Sequence, residues 1–145
     1  MKKIGITFST FDLIHPGHIL MLKDCKNVCD HLIVGVQSDP TIDRKGANDE
    51  YSKISGKPKN IPIQTLEERL IMIKAIKFVD EVFVYDTEED LYNWLKDNKW
   101  DVRILGSDWE GKKFTGYDIN GKLHFHKRDH DWSSTAFRER LKNSK

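Results

Sequence analysis

Two segments near the N-terminus have the hydrophobic pattern of buried parallel strands. Residues 3–8 and 31–36 are rich in Ile, Val and Phe, and the second run is almost continuously apolar. Strands that are covered on both faces have this pattern. Between them, apolar side chains recur at helical spacing over 17–28, which predicts a helix that begins near Gly17. The pattern therefore predicts strand, helix, strand.

The same alternation continues along the chain. Thr65-Leu66-Glu67-Glu68 is a capping-box sequence, and it predicts a helix that runs to about Phe78. The elements predicted after it are a strand at 81–85, a helix from Thr87, strands at 102–105 and 123–126, and a helix from Ser133 to about Lys142. Strands alternating with helices indicate an α/β fold, namely a Rossmann-like, doubly wound parallel sheet of about five strands with helices on both faces.

Two long polar stretches, 38–63 and 106–121, interrupt this alternation. The first contains several lysines and three prolines, and the second contains four glycines around two lysines. Loops of this length inside a compact domain are usually functional or mobile. We therefore expect them to take part in binding.

Composition narrows the possible functions. The 145 residues include 24 Lys and Arg against 23 Asp and Glu, a net charge of +1, which argues against a nucleic-acid partner. No apolar run approaches the roughly 20 residues that cross a bilayer, and no signal-peptide pattern is visible. We expect a cytoplasmic protein without membrane insertion. Cys25 and Cys29 lie four residues apart in a predicted helix, so we expect buried reduced thiols, with a redox role as the alternative.

Candidate chemistry gathers after the predicted strands, where open α/β sheets bind ligands. His15 directly precedes a predicted helix and His18 lies in its first turn, so both imidazoles are expected to flank the free N–H groups that attract phosphate. Gly17 would let a phosphate approach the backbone. Two alternatives stay open: the histidines only cap the helix, or they bind zinc with His124 and His126.

Three hydroxyl residues at 133–135 open the last predicted helix, five residues after Arg128. Simple N-capping explains one hydroxyl but not three. Two helix N-termini with polar donors at one edge of the sheet suit a triphosphate. Lys45 and Arg44, from the long loop, are placed to close over it, although a solvated basic loop is the commoner explanation of such residues.

Residues 9–18, Ser-Thr-Phe-Asp-Leu-Ile-His-Pro-Gly-His, resemble the signature G-T-F-D-x-x-H-x-G-H, which contains the HxGH motif of the nucleotidyltransferase superfamily. Within that superfamily the chain is most similar to the glycerol-3-phosphate cytidylyltransferases. Residues 106–112 resemble their G-D-D-W-E-G-K, 68–82 their second helix and third strand, and 128–135 their R-T-E-G-I-S-T-T. The resemblance implies that 1–145 is a single cytidylyltransferase-like domain.

The resemblance also implies a reaction. CMP would pass from CTP to the phosphate of a small phosphorylated polyol or alcohol, such as glycerol-3-phosphate, giving a CDP-linked product and pyrophosphate. Mg²⁺ would be bound mainly through nucleotide phosphates, with no dedicated protein ligand, and the protein would be a homodimer. The implied catalytic residues are His15, His18, Lys45 and Arg128. The implied nucleotide-binding residues are Thr10, Phe11, Asp12, Gly17, Gly106, Asp108, Ser133, Ser134 and Thr135. Lys45 and Arg69 would bind the acceptor.

The chain also departs from the family pattern. Ser9 stands where the family has Gly, and Asp-His-Asp-Trp at 129–132 replaces T-E-G-I. Both polar loops are longer than in the glycerol-3-phosphate enzymes, so the acceptor can differ. Two other functions stay open: an adenylyltransferase that uses ATP on a sugar phosphate or flavin-type acceptor, and a catalytically silent nucleotide-binding module.

Overall fold

The protein is described by a computed structural model that covers residues 2–42 and 61–144. The strands in these ranges are β1 (Ile4–Ser9), β2 (His31–Gln37), β3 (Glu81–Tyr85), β4 (Val102–Gly106) and β5 (Lys122–His126). The helices are α1 (Pro16–Asn27), α2 (Leu66–Lys74), α3 (Glu88–Asp97) and α4 (Ser134–Lys142), and a short 3-10 helix spans Ser107–Trp109. None of these helices is long and apolar enough to cross a membrane.

The sheet has the strand order β3-β2-β1-β4-β5, and every neighbouring pair is parallel. The order reverses at β1, which pairs with β2 on one side and β4 on the other. The carboxyl ends of β1 and β4 therefore border the crevice in which folds of this kind bind ligands. The prediction of a Rossmann-like parallel sheet of five strands is confirmed.

The core has two parts, one on each face of the sheet. Val34 packs with Leu22 of α1 and Ile73 of α2, whereas its neighbour Ile33 packs with Leu91 of α3. Adjacent strand residues point to opposite faces, so α1 and α2 cover one face and α3 covers the other. This arrangement explains why β2 is apolar at nearly every position.

Both cysteines lie inside this core, where they are buried and free. The Cys29 thiol donates to the carbonyl of Cys25 at 3.1 Å. Burial raises the pKa of both thiols. The prediction that both thiols are buried and form no disulfide is confirmed.

Apart from shifts of one residue, the end of α2 and the segment 106–121 differ from the predictions. α2 ends at Lys74 rather than near Phe78, because the N–H groups of Ala75 and Ile76 bond three residues back and tighten the last turn. Phe78 still packs against the core from the segment that follows. Within 106–121 the chain forms the 3-10 helix instead of an irregular loop. Most of the other polar stretch, residues 43–60, lies outside the described residues.

Candidate active site

The two histidines of the HxGH motif form the N-terminal cap of α1. His15 is the N-cap, and its Nδ1 accepts a hydrogen bond from the Gly17 N–H at 3.0 Å. The Nδ1 of His18 accepts from the His15 N–H at 3.2 Å. Since both Nδ1 atoms are acceptors, each neutral ring carries its hydrogen on Nε2. Capping therefore fixes the tautomer, and both rings have an Nε2–H group to donate.

This geometry corrects one sequence expectation. The N–H groups of the first turn of α1 are not free, because Gly17 donates to the His15 ring and His18 and Ile19 donate to the His15 carbonyl. The reason is that the N-cap is an imidazole with an acceptor nitrogen, which satisfies the group that a phosphate would otherwise bind. A phosphate at this helix end would meet the two imidazoles instead.

Both imidazoles favour the neutral form. Burial, assisted by the neighbouring His15, lowers the pKa of His18 to about 3, against a smaller opposing effect of Asp12. Burial, His130 and Arg128 lower the pKa of His15. The two ring centroids are 4.0 Å apart. In the free protein at neutral pH the pair therefore consists of two uncharged hydrogen-bond donors.

One cavity of about 350 Å³ at the carboxyl edge of the sheet brings many of the proposed site residues together. It lies between the end of β1, the start of α1, the end of β4 and the segment that leads into α4. The sequence-predicted residues that line it are His15, Gly17, His18, Gly106, Asp108, Arg128, Ser133 and Ser134. Four distant parts of the chain thus meet at one point, and ligand binding there stays a prediction.

The three hydroxyls at the start of α4 have different surroundings. Ser133 is the N-cap, and its oxygen accepts from the Ala136 N–H at 2.9 Å, which leaves its own hydrogen free to donate. The Ser134 hydroxyl donates to the carbonyl of Asp12 at 3.3 Å. Thr135 is exposed and lines a separate depression beside Arg138. Thr135 therefore does not line the cavity that Ser133 and Ser134 share.

Phe11 and Asp12, both predicted to bind nucleotide, have side chains that stabilise the fold. Phe11 is 1% exposed and belongs to the core. The Asp12 carboxylate accepts from the N–H groups of Ile63 and Gln64, each at 2.9 Å, and pairs with Arg138 at 2.7 Å. These bonds hold the segment before α2 against the loop after β1. Neither side chain lines the 350 Å³ cavity.

Arg69, which the resemblance assigned to the acceptor, is 2% exposed on α2. Its guanidinium donates to the carbonyls of Thr10, Gln37, Ser38 and Gln64 at 2.6–3.2 Å. These carbonyls belong to the loop after β1, to the end of β2 and the residue that follows it, and to the segment before α2, so Arg69 ties these segments together from inside the protein. Thr10 itself borders a neighbouring cavity. Lys45 lies outside the described residues.

Two further histidines also line the cavity: His130, to which the sequence analysis gave no role, and His126, which it considered only as a zinc ligand. His130 accepts a hydrogen bond at Nδ1 from the Trp132 N–H at 3.1 Å, and its Nε2 is buried without a partner among the described residues. A Cβ on Gly17 would lie 2.8 Å from the His130 ring and 2.8 Å from the His15 ring, so only glycine fits there without displacing them. The departure from the family pattern at 129–132 was the available signal for His130.

His126 belongs to a different arrangement. Its Nδ1 lies 2.8 Å from a carboxylate oxygen of Asp24, and the Nε2 of His124 lies 3.0 Å from the same oxygen. Both histidines therefore bond a carboxylate on α1. Within residues 2–42 and 61–144, no group of three or more His, Cys, Asp or Glu side chains is arranged to hold a metal ion.

Comparison with known proteins decides the family. A family model described as cytidylyltransferase-like matches residues 6–140. The chain belongs to the cytidylyltransferase-like family. As a member, it shares its fold with nucleotidyltransferases.

Relatives of this cytidylyltransferase-like protein include the bifunctional protein HldE of Campylobacter jejuni subsp. jejuni, serotype O:6, which is 32% identical over 146 residues. The alignment covers 99% of this chain but only 29% of HldE, so the chain spans less than a third of that protein. HldE of Campylobacter concisus is 29% identical, with 99% of this chain and 28% of HldE covered.

Solved structures show the same fold. The lipopolysaccharide core biosynthesis protein of Thermoplasma volcanium is 26% identical, with a TM-score of 0.63, and the match covers 92% of this chain and 100% of that one. The pantoate-beta-alanine ligase of Francisella tularensis matches 99% of this chain and 66% of its own, at 17% identity and a TM-score of 0.54. The second likeness concerns the fold alone.

The buried His18 predicts a pH dependence of stability. Its folded pKa of about 3 lies below its ordinary value of 6.5, so between these values the unfolded chain binds more protons. The free energy of unfolding should therefore fall by about 2 kcal/mol between pH 6.5 and pH 5. Equilibrium urea denaturation at the two pH values measures this loss. A His18→Gln variant should lose clearly less, and an equal loss in both proteins would contradict the assignment.

Proposed function

We propose that this protein transfers a nucleotidyl group from a nucleoside triphosphate to the phosphate of a small phosphorylated polyol or sugar, with release of pyrophosphate. The observation that carries the proposal is the pair of Nε2–H donors of His15 and His18, which line one cavity with Arg128 and Ser133. Cationic and neutral donors around one cavity suit a polyphosphate. The crevice at β1 and β4 is also where α/β sheets of this order bind ligands.

In the proposed reaction, an oxygen of the acceptor phosphate attacks the α-phosphorus of the nucleotide. The bond from the α-phosphorus to the bridging oxygen of the β-phosphate breaks, and pyrophosphate leaves with that electron pair. His15 and His18 would donate hydrogen bonds to α-phosphate oxygens as negative charge builds up on them, while Arg128 and the hydroxyl of Ser133 would bind the departing phosphates. Since Nδ1 of each ring accepts a backbone hydrogen and Nε2 carries one, neither ring is set up as a nucleophile.

The charge of the cavity supports a role for Mg²⁺ bound through the nucleotide. Asp108 is the single carboxylate among the described residues that line it. Mg²⁺ retains several waters and commonly uses one or two carboxylates together with substrate phosphates. We propose that the phosphates hold most of the ion and that Asp108 is the protein group available to it. The ion would neutralise phosphate charge.

Two nucleotides are candidates. CTP is the first, because the family model is cytidylyltransferase-like and residues 106–112 resemble the corresponding segment of glycerol-3-phosphate cytidylyltransferases. ATP is the second, because the HxGH segment and the serines before α4 resemble adenylyltransferases equally well. A sugar phosphate as acceptor is favoured by the similarity to a lipopolysaccharide core biosynthesis protein. We also propose a homodimer, which light scattering would test.

Pyrophosphate release with Mg²⁺ tests the proposal. CTP and ATP are compared against glycerol-3-phosphate, sugar phosphates and phosphorylated amino alcohols, with a control that lacks the acceptor. We expect release that depends on an acceptor and occurs with CTP. If pyrophosphate is released with ATP but not with CTP, the proposed nucleotide is wrong and the proposed reaction stands. Nucleotide binding without release for any acceptor would overturn the proposal in favour of a silent module.

A further inference from the structure

A charged residue lies within β4, where a parallel strand normally carries apolar side chains. Arg103 lies between the buried Val102 and Ile104 and is itself 5% exposed. Its guanidinium lies 5.3 Å from the centre of the Phe8 ring and 5.2 Å from that of Phe114. A buried charge is costly to the fold unless it is paired and hydrogen-bonded. Its side chain lines a cavity together with Ser9 and Gln37, the last residues of β1 and β2, which suggests a function.

The contacts of Arg103 within the described protein leave part of its guanidinium unused. Nη1 donates to the carbonyl of Thr115 at 2.6 Å, but Nε is buried without a hydrogen-bond partner among the described residues. Burial lowers the pKa of Arg103 to about 10, and the nearby Tyr85 and Glu88 oppose that shift. Arg103 therefore remains a cation at neutral pH, with a carboxylate close to it.

Glu88 comes from another element but faces the same space. It is the first residue of α3 and is 4% exposed. Glu88 and Arg103 both line a cavity of about 170 Å³ at the carboxyl ends of β1 and β2. The cavity also presents the polar side chains of Ser9, Thr10, Gln37 and Thr115. The cavity therefore combines a cation, an anion, hydroxyls and an amide within aromatic walls.

This cavity connects to the candidate active site by shared residues. A second cavity of about 200 Å³ has both Arg103 and Ser9 and both His18 and Gly106 in its lining. His18 and Gly106 also line the 350 Å³ cavity, and so does Ser9. A molecule that presents a phosphate to the nucleotide beside His18 can therefore extend its other end towards Arg103.

Building on the proposed function, we propose that the cavity of Arg103 and Glu88 is the acceptor site and selects a phosphorylated acceptor whose other end is uncharged and rich in hydroxyls. A guanidinium donates to hydroxyl oxygens and a carboxylate accepts from hydroxyl hydrogens, so together they match neighbouring hydroxyls of a polyol or sugar. An acceptor with an ammonium end would meet the Arg103 cation, and one with a second anion would meet Glu88.

Two isosteric variants on α3 provide the test. Glu88→Gln keeps the shape of the cavity and removes the carboxylate, whereas Glu89→Gln makes the same change on the next, exposed residue. Titration calorimetry measures the binding of glycerol-3-phosphate, glucose 1-phosphate and phosphocholine, and steady-state kinetics gives KM for acceptor and nucleotide. We expect Glu88→Gln to weaken binding of a hydroxyl-rich acceptor by about 10- to 100-fold. Its nucleotide KM should match that of Glu89→Gln and the wild type.

Arg103→Met is a second variant that tests the acceptor site, and thermal denaturation shows whether it folds. If it does not fold, the comparison of Glu88→Gln with Glu89→Gln alone tests the proposal. Three results would overturn the proposed acceptor site. The first is acceptor binding that is unchanged in Glu88→Gln. The others are phosphocholine binding as tight as that of the polyol phosphates, and a wild-type protein that binds none of the probes. Acceptor binding that depends on Glu88 without any turnover would instead refute the proposed reaction and keep the acceptor site.

Discussion

Replacing His18 with alanine should lower kcat by about 10²- to 10³-fold, the usual cost of one hydrogen-bond donor to a developing negative charge. The reason lies in the tautomer, since the backbone N–H of His15 occupies Nδ1 and leaves Nε2–H to face the cavity. Nucleotide affinity should change much less than kcat, because the donor matters most in the transition state. Pyrophosphate release at saturating substrates measures kcat, and calorimetry measures nucleotide affinity.

Two further substitutions separate the cap from the donor. In His18→Asn the side-chain oxygen can still accept from the His15 N–H, but no donor reaches the Nε2 position. In His18→Gln the amide nitrogen can occupy the Nε2 position while the cap is weakened, at a cost of about 1 kcal/mol in stability. We expect the glutamine variant to be the more active and the asparagine variant the more stable. The opposite order of activities would show that His18 acts only as a cap.

A matched control uses a histidine at the other end of the sheet. His31 begins β2, far from the carboxyl edge, and its Nε2 lies 3.1 Å from Glu81. His31→Ala should leave kcat unchanged within about twofold, because exposed pairs of this kind contribute little. Equal losses in the His18 and His31 variants would indicate a general effect on folding instead of a local effect on the reaction.

The arrangement of strands and helices could be predicted because the apolar residues of this chain follow the strand pattern and the helix pattern clearly. Continuous apolar runs identified β2, and hydroxyl caps at Thr65 and Thr87 fixed the starts of α2 and α3, where capping boxes are present in the structure. The end of α2 was missed, since the apolar spacing continues through Ile76 and Phe78 after the helical hydrogen bonds have stopped. Periodicity reports which side chains face the core and does not report which bonds connect the backbone.

The candidate site was only partly predictable, because a motif gives residue types without their hydrogen-bond partners. His15 and His18 were found, but their mutual capping depends on ring orientation. The buried arginines show the limit most clearly. Arg69 was expected at the acceptor, yet it bonds backbone carbonyls, whereas Arg103 was overlooked although a charge within a buried strand was visible in the sequence. The roles of Arg69 and Arg103 both depend on their burial, and burial is known only once the fold is known.

Replacing Arg69 with leucine should lower the free energy of unfolding by about 3–5 kcal/mol. The substitution removes the donors to four carbonyls, and several of these would stay buried without a partner at about 1–3 kcal/mol each, offset in part by relaxation of the loops. Arg69→Lys should recover only part of the loss, because an ammonium cannot reproduce the planar fork of donors. Equilibrium urea denaturation measures the change, with the exposed Arg140→Leu on α4 as the control, expected within about 0.5 kcal/mol of the wild type.

The same variants decide between the two roles of Arg69. If Arg69 ties the loop after β1 to the end of β2, stability falls in Arg69→Lys, and acceptor KM rises only because the segments that carry Thr10 and Gln37 are loosened. If instead Arg69 binds the acceptor phosphate directly, Arg69→Lys raises acceptor KM while the free energy of unfolding stays near that of the wild type. The complete burial of the guanidinium leads us to expect the first result, because a side chain with its donors bonded to carbonyls has little left to offer a phosphate.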